Sequence, residues 1–227
     1  MLTIKEPQFE QSIMEALEIT DRRIERKDLT NVRYLDCSNF DFLSEDLYIL
    51  KQCSNLRMLD IDIGGDLGFL SAMLNLEVLY LTTWERDSID LRSFSPLRNL
   101  FNLMISGGDI SGVELAHPEG LTTLKKLERL TLHEFGYVDL SFLEDMPWLL
   151  YFYCGYANSI TNSSSLQGLT RLKSLELVDI EIDDFCFLDY LPYGMELTLL
   201  DARSKKPLKK EKLRRFNCRE ISGVPII

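Results

Sequence analysis

The side chains able to do chemistry are few and poorly arranged for it. Two aspartate pairs occur, Asp60 with Asp62 and Asp183 with Asp184. On a strand, carboxylates at i and i+2 share one solvated face, with no acid partner and no enclosing pocket, so general acid–base work is not expected. The only histidines are His117 and His133, and around His133 no cysteine, histidine or carboxylate stands at metal-ligand spacing. His133 reads as a surface side chain. The five cysteines, Cys37, Cys53, Cys154, Cys186 and Cys218, are odd in number and include no CxxC pair. They are expected to be reduced thiols behaving as small hydrophobes, without disulfides or a metal site. GxSxG, HExxH, phosphate-loop and GxGxxG patterns are absent. The expectation is no catalytic residue, no metal and no cofactor.

What recurs along the chain is apolar. The pattern Leu-x-x-Leu-x-Leu is met by Val32, Leu35, Cys37; Leu56, Leu59, Ile61; Leu76, Leu79, Leu81; Leu100, Leu103, Ile105; Leu127, Leu130, Leu132; Leu149, Phe152, Cys154; and Leu172, Leu175, Leu177. The middle members are separated by 24, 20, 24, 27, 22 and 23 residues, the mark of a stacked repeat. Around them, as in Met58-Leu59-Asp60-Ile61-Asp62, apolar and polar residues alternate with period two, which predicts a short strand with its leucines turned inward. One such strand cannot bury its apolar face alone. Stacking copies at about 4.8 Å in a parallel sheet gives a continuous core. The segments between copies supply the crossovers that parallel strands need. Asp90, Asp139 and Asp184 open three of them and are placed to cap short helical turns. Cys37 and Cys154 replace inward leucines five repeats apart, roughly 24 Å, which is beyond disulfide reach.

On these motifs the chain resembles the leucine-rich repeat proteins, specifically the internalin-like class with repeats of roughly 22 residues. The copy Gly168-Leu169-Thr170-Arg171-Leu172-Lys173-Ser174-Leu175-Glu176-Leu177, followed by Ile180, Ile182 and Asp184, carries the resemblance best, and about residues 30–200 share it. It implies an α/β fold: a right-handed β/α solenoid with a parallel sheet on the concave face, short helical or irregular convex connectors, and no catalytic residues. The family usually carries an inward asparagine three residues after the last leucine. Here that position reads Phe40, Gly64, Trp84, Gly108, Phe135, Ala157 and Ile180. An irregular solenoid without that asparagine ladder is expected, unlike the very regular secreted adhesins, and its loop donors must find other partners or water. Trp84, an interface residue by type, falls at an inward position and is assigned to the core.

The chain divides into an N-terminal cap (1–31), about seven to eight repeats (32–200) and a basic C-terminal cap (201–227). The first holds either a helix over Pro7–Leu17, with Phe9, Ile13 and Leu17 on one face, or a degenerate repeat at Met14, Leu17 and Ile19. Met195–Leu199 fits a last strand. Residues 203–220 carry nine basic and two acidic side chains, net +7, leaving −18 on the rest of a chain whose total is −11. The segment is expected to cap the stack with its cations facing the acidic body and with Leu208, Leu213 and Phe216 as anchors. Nucleic-acid binding is disfavoured, because the body repels phosphates. No apolar run reaches the roughly 18 residues of a membrane span. The first residues lack a basic start followed by an apolar stretch, so no signal peptide and a cytosolic setting are expected.

The residues that flank the inner leucines point outward and form the candidate surface. They include Tyr34 and Asp36; Met58, Asp60 and Asp62; Tyr80; Met104; Arg129 and His133; Tyr151 and Tyr153; and Glu176. Lysine is absent from all the outward positions, and arginine occurs once. Aromatic and Met side chains are favoured in interfaces and Lys is depleted there, although Tyr, Thr and Val also form strands well for their own reasons. The expectation is a non-catalytic protein–protein interaction module. It would bind a protein or peptide with basic residues through the concave sheet, without nucleic acid or membrane, as a monomer or weak dimer. The alternatives are an immunity-type neutraliser of a basic effector and a self-associating scaffold.

Overall fold

A computed structural model describes residues 3–38, 44–64, 66–83, 88–108 and 112–227, without the side chains of residues 44 and 45. Phe40 and Trp84 therefore lie outside the described residues. In chain order the elements are α1 (Pro7–Ala16), α2 (Arg26–Leu29), β1 (Tyr34–Cys37), α3 (Ser44–Leu50), β2 (Met58–Asp62), β3 (Val78–Thr82), β4 (Ser88–Asp90), β5 (Asn102–Ser106), β6 (Glu114–Ala116), β7 (Arg129–His133), β8 (Tyr137–Asp139), β9 (Tyr151–Ala157), β10 (Ser159–Thr161), β11 (Ser174–Ile182), β12 (Glu196–Ser204), α4 (Lys210–Leu213) and β13 (Asn217–Ser222).

Among the described residues, nine strands pair in parallel in the order β1-β2-β3-β5-β7-β9-β11-β12-β13. Alternation builds this sheet: Leu59 and Ile61 are fully buried, while Asp60 and Asp62 between and beside them stay half-exposed. In-register pairing then stacks Leu35, Leu59, Leu79, Leu103, Leu130, Phe152, Leu175 and Leu197 in one column, and Cys37, Ile61, Leu81, Ile105, Leu132, Cys154, Leu177 and Leu199 in the next. Each buried side chain contributes about 2 kcal/mol, and only the neighbouring repeats make that burial complete. The last strand expected at Met195–Leu199 runs on as β12 to Ser204, and β13 falls in the strand-like stretch that the sequence shows over Phe216–Ile227. One feature exceeds the sequence reading. A second parallel sheet, β10-β8-β6-β4, ties the connectors together. Its three-residue strands are too short to show a readable period.

The connectors contain short 3-10 turns; Asp66 and Asp90 cap two of them, and Asp139 and Asp184 accept from the first backbone N–H of two more. Asp66 accepts from the Gly68 N–H (3.1 Å), Asp90 from Arg92 (3.0 Å), Asp139 from Ser141 (2.8 Å) and Asp184 from Cys186 (2.8 Å).

Beyond the strands, the sheet itself replaces the missing asparagines. The N–H groups of Thr83, Gly107 and Glu134 donate to the carbonyls of Ser106, His133 and Gly155 at 2.9–3.0 Å. Glu134, Tyr156, Asp179 and Asp201 all adopt left-handed backbone at one register. Each costs about 1 kcal/mol, and the next residue, Phe135, Ala157, Ile180 or Ala202, then turns inward and is buried. An asparagine ladder does exist, but before the strands. Asn55 donates to the Thr30 carbonyl (2.9 Å), Asn75 to Ser54 (3.0 Å) and Asn99 to Leu74 (3.0 Å). At the same register Trp148 uses its indole Nε1, reaching the Leu124 carbonyl at 3.2 Å.

Both ends are closed. At the β1 end α1 buries Phe9 and Ile13, and Asp46 accepts from the N–H groups of Lys5 (3.0 Å) and Glu6 (3.1 Å). At the other end Arg203, Lys206, Lys212 and Arg219 pair with Asp179, Asp184, Asp189 and Glu196. Arg215 donates to the carbonyls of Leu188, Asp189 and Leu191. Leu208 and Phe216 are buried beneath. Among the described residues, no helix is long and apolar enough to cross a membrane.

Candidate functional site

The outward side chains of β3, β5, β7, β9 and β11 line a depression of about 420 Å³ on the nine-stranded sheet. Seven of the twelve candidate residues meet there: Tyr80, Met104, Arg129, His133, Tyr151, Tyr153 and Glu176. Parallel register is what gathers them, because Tyr80, Met104, Thr131, Tyr153 and Glu176 are successive partners across the strands. Leu130 and Phe152 form its floor. Among the described residues, neither 3–31 nor the basic terminal segment contributes to the lining.

The rings are held in place by their neighbours. The Arg129 guanidinium lies 3.7 Å from the Tyr151 ring centroid, a cation–π contact that steadies both side chains. His133 stacks on Tyr153 at 6.1 Å and meets Tyr156 edge-on at 5.0 Å. Its Nδ1 is 3.4 Å from Glu134 Oε2, and the same carboxylate oxygen accepts from Ser106 Oγ at 3.0 Å. Asn102 donates to the Tyr80 hydroxyl at 3.2 Å. Gly155 leaves room for Tyr153, since a Cβ there would stand 2.4 Å from the phenol oxygen. Burial, followed by the Tyr156 and Cys154 side chains, pushes the Tyr153 phenol up to about 12. It is a neutral hydrogen-bonding group at neutral pH.

The other candidates sit apart. Tyr34, Asp36 and Met58 border a second depression of about 410 Å³, closed on one side by Ser12, Glu15 and Ala16 of α1. Asp60 and Asp62 lie between the two depressions and line neither. Asp36 is turned onto Ser38, accepting from its N–H at 3.0 Å and its hydroxyl at 2.8 Å. Burial, then Asp36 and Asp62, pushes the Asp60 carboxyl up to about 6. Among the described residues no group of three or more His, Cys, Asp or Glu is arranged to hold a metal. The five cysteines are all free, with Cys37, Cys53 and Cys154 buried and their thiols shifted strongly upward by that burial.

Sequence reasoning missed Tyr156 and Glu134. They follow Cys154 of β9 and Leu132 of β7 by two positions, where strand alternation predicts a side chain turned inward, away from the site. Left-handed backbone at both brings them back over His133.

No protein-family model matches the sequence, and no curated protein is detectably similar to it. Solved structures do match. Internalin C2 from Listeria monocytogenes superposes with a TM-score of 0.68 at 16% identity, over 95% of this chain and 93% of that one. The fold is a leucine-rich repeat solenoid. The ectodomain of the Arabidopsis receptor kinase HAESA, in complex with an N-terminally extended IDA peptide hormone, matches with a TM-score of 0.61 at 17% identity, over 88% of this chain and 35% of that one. The ectodomain of GASSHO1/SCHENGEN3 from Arabidopsis thaliana, in complex with CASPARIAN STRIP INTEGRITY FACTOR 2, gives 0.57 at 15% identity, over 89% and 28%. In a leucine-rich repeat solenoid the long parallel sheet is the concave wall, which makes the 420 Å³ depression its centre.

Proposed function

We propose that this solenoid is a non-catalytic binding module that holds a protein or peptide segment along its concave sheet. The observation that carries the reading is the central depression, where Tyr80, Tyr151, Tyr153, His133 and Met104 converge on a floor of Leu130 and Phe152. Rigid aromatic side chains supply contact area at low entropic cost, which is why they dominate binding hot spots. The two plant ectodomains of the same fold were solved with peptide or protein ligands. Asp36, Asp60 and Asp62 extend the surface toward β1 with negative charge, and none of the outward positions in the sequence is lysine, so a segment with basic residues fits best. The acidic end also suits the narrower role of neutralising a basic effector. Five unbridged thiols favour a reducing, cytosolic setting.

The test uses fluorescently labelled Arg- and Lys-containing peptides with aromatic or aliphatic anchors, against acidic counterparts, read by anisotropy. The double variant Tyr80→Ala, Tyr153→Ala is expected to bind the basic peptides at least about ten-fold more weakly, with circular dichroism unchanged. Undiminished binding by the double variant sinks the proposal.

A further inference from the structure

The segments that lead into the strands form a second surface with its own chemistry. A cavity of about 530 Å³ opens there, away from the concave wall, around Phe101 and Trp148. Backbone bonds run repeat to repeat along this rim, from Phe101 N–H to Glu77 O, Glu128 N–H to Phe101 O and Leu150 N–H to Glu128 O, each 2.9 Å. The ladder position beside them is asparagine at 55, 75 and 99, and an asparagine amide is all that the hydrogen bond requires. At 148 the chain uses tryptophan instead. Its Nε1 fills the rung, and the remainder of the indole stays half-exposed in the cavity. One part of the ring packs against the core and the rest is open to solvent.

Cations surround it. Lys125 Nζ stands 3.8 Å from the Trp148 ring centroid. Lys126 is steadied by Asn99 Oδ1 at 2.7 Å. Arg171, also on the cavity wall, is exposed, with no ion pair among the described residues. Of the two carboxylates on the wall, Glu77 is already paired with Arg57 at 3.0 Å, leaving Glu128. In a chain of net charge −11 this is a local excess of positive charge beside an apolar ring.

We infer that this rim is a docking site for an acidic segment of a protein partner, in which an apolar side chain packs on Trp148 and Phe101 while flanking carboxylates meet Lys126 and Arg171. Charge complementarity selects the occupant. A polyanion such as a nucleic acid is the poorer fit, since the cations are few and the body around them is strongly negative. The inference does not depend on the concave reading, because the two surfaces share no lining residue.

The test titrates the full chain with a fluorescein-labelled peptide of Glu and Phe, its Lys and Phe counterpart, and a single-stranded oligonucleotide. The Glu–Phe peptide is expected to bind, and to bind several-fold more weakly when salt rises from about 50 to about 500 mM. Trp148→Asn removes the indole and places there the asparagine that forms the rung at positions 55, 75 and 99. It is expected to lower the affinity at least about ten-fold with thermal unfolding little changed. The pair Lys126→Glu, Arg171→Glu, both at exposed side chains, is expected to lose the peptide as well. Tyr80→Ala with Tyr153→Ala should leave it untouched. The inference is overturned if Trp148→Asn and the charge-reversed pair both bind like the parent, if the Lys–Phe peptide binds equally well here, or if the oligonucleotide outcompetes the peptide.

Discussion

Two cations rest on aromatic rings in this solenoid at nearly the same distance, Arg129 on Tyr151 (3.7 Å) and Lys125 on Trp148 (3.8 Å). One pair lies within the strands and the other in the segments that lead into them. Around Arg129 the wall carries phenols, a histidine, Met104 and Glu176; around Lys125 it carries Lys126, Arg171 and Phe101 with the carboxylates Glu77 and Glu128. The two surfaces use one backbone scheme, because both columns are aligned by parallel register. They differ in which repeat position is left free to vary. Along the concave wall every outward residue is free, and the chain spends that freedom on aromatics and acids. Along the rim asparagine holds the column at 55, 75 and 99, and the cavity lies where it gives way to Lys126, Trp148 and Arg171.

If the two surfaces are separate ornaments on a shared core, a change in that core must damage both. Leu130 is buried in the leucine column and forms the floor of the concave depression. Leu130→Ala is expected to cost about 3 kcal/mol in urea unfolding and to weaken both basic and acidic probes. A loss confined to one probe would show that the repeats are less coupled than the packing indicates. A smaller change should separate the surfaces. Gly155→Ala forces the Tyr153 phenol off its seat, and since a side-chain tip can yield, the expected cost is about 1 kcal/mol. Binding at the concave wall should fall while the acidic peptide is held as before.

The smallest effect concerns charge alone. With the Asp60 carboxyl raised to about 6, the folded chain holds, between about pH 4 and 6, a proton that the unfolded chain has released. Its contribution to stability is greatest below about pH 4 and is lost as pH rises through about 6. Asp60→Asn should therefore stabilise the protein at neutral pH by no more than about 1 kcal/mol, after allowing for solvent screening. The gain should vanish below about pH 4, as followed by thermal melts across pH. The same variant should weaken the basic peptide and leave the rim unaffected. A stability gain that persists in acid would mean that Asp60 is not the strained group of this face.

Much of the architecture was legible in the leucines. Their period gave the strands, their alternation gave the buried columns, and the aspartates of the connectors marked the capped turns. The asparagine ladder before the strands was equally legible, as Asn31, Asn55, Asn75 and Asn99 each precede the first apolar residue of a repeat. It went unread because the family's ladder lies on the other side of the strand. The convex sheet was not legible, since three residues carry too little alternation to separate strand from loop. Nor were Tyr156 and Glu134 as parts of the site, because no pattern of residue types announces a left-handed backbone at a non-glycine residue.

The sequence by itself determined which side chains point into the stack and which point out, because a strand has a period of two and a repeat can bury its leucines only against another repeat. It also determined that no familiar catalytic motif is present. Only the tertiary structure decided which outward residues become neighbours. Register across the strands, the kinks after them and the choice of hydrogen-bond donor at Trp148 are set by packing between repeats. These contacts join residues 20 or more positions apart, and no local pattern records them.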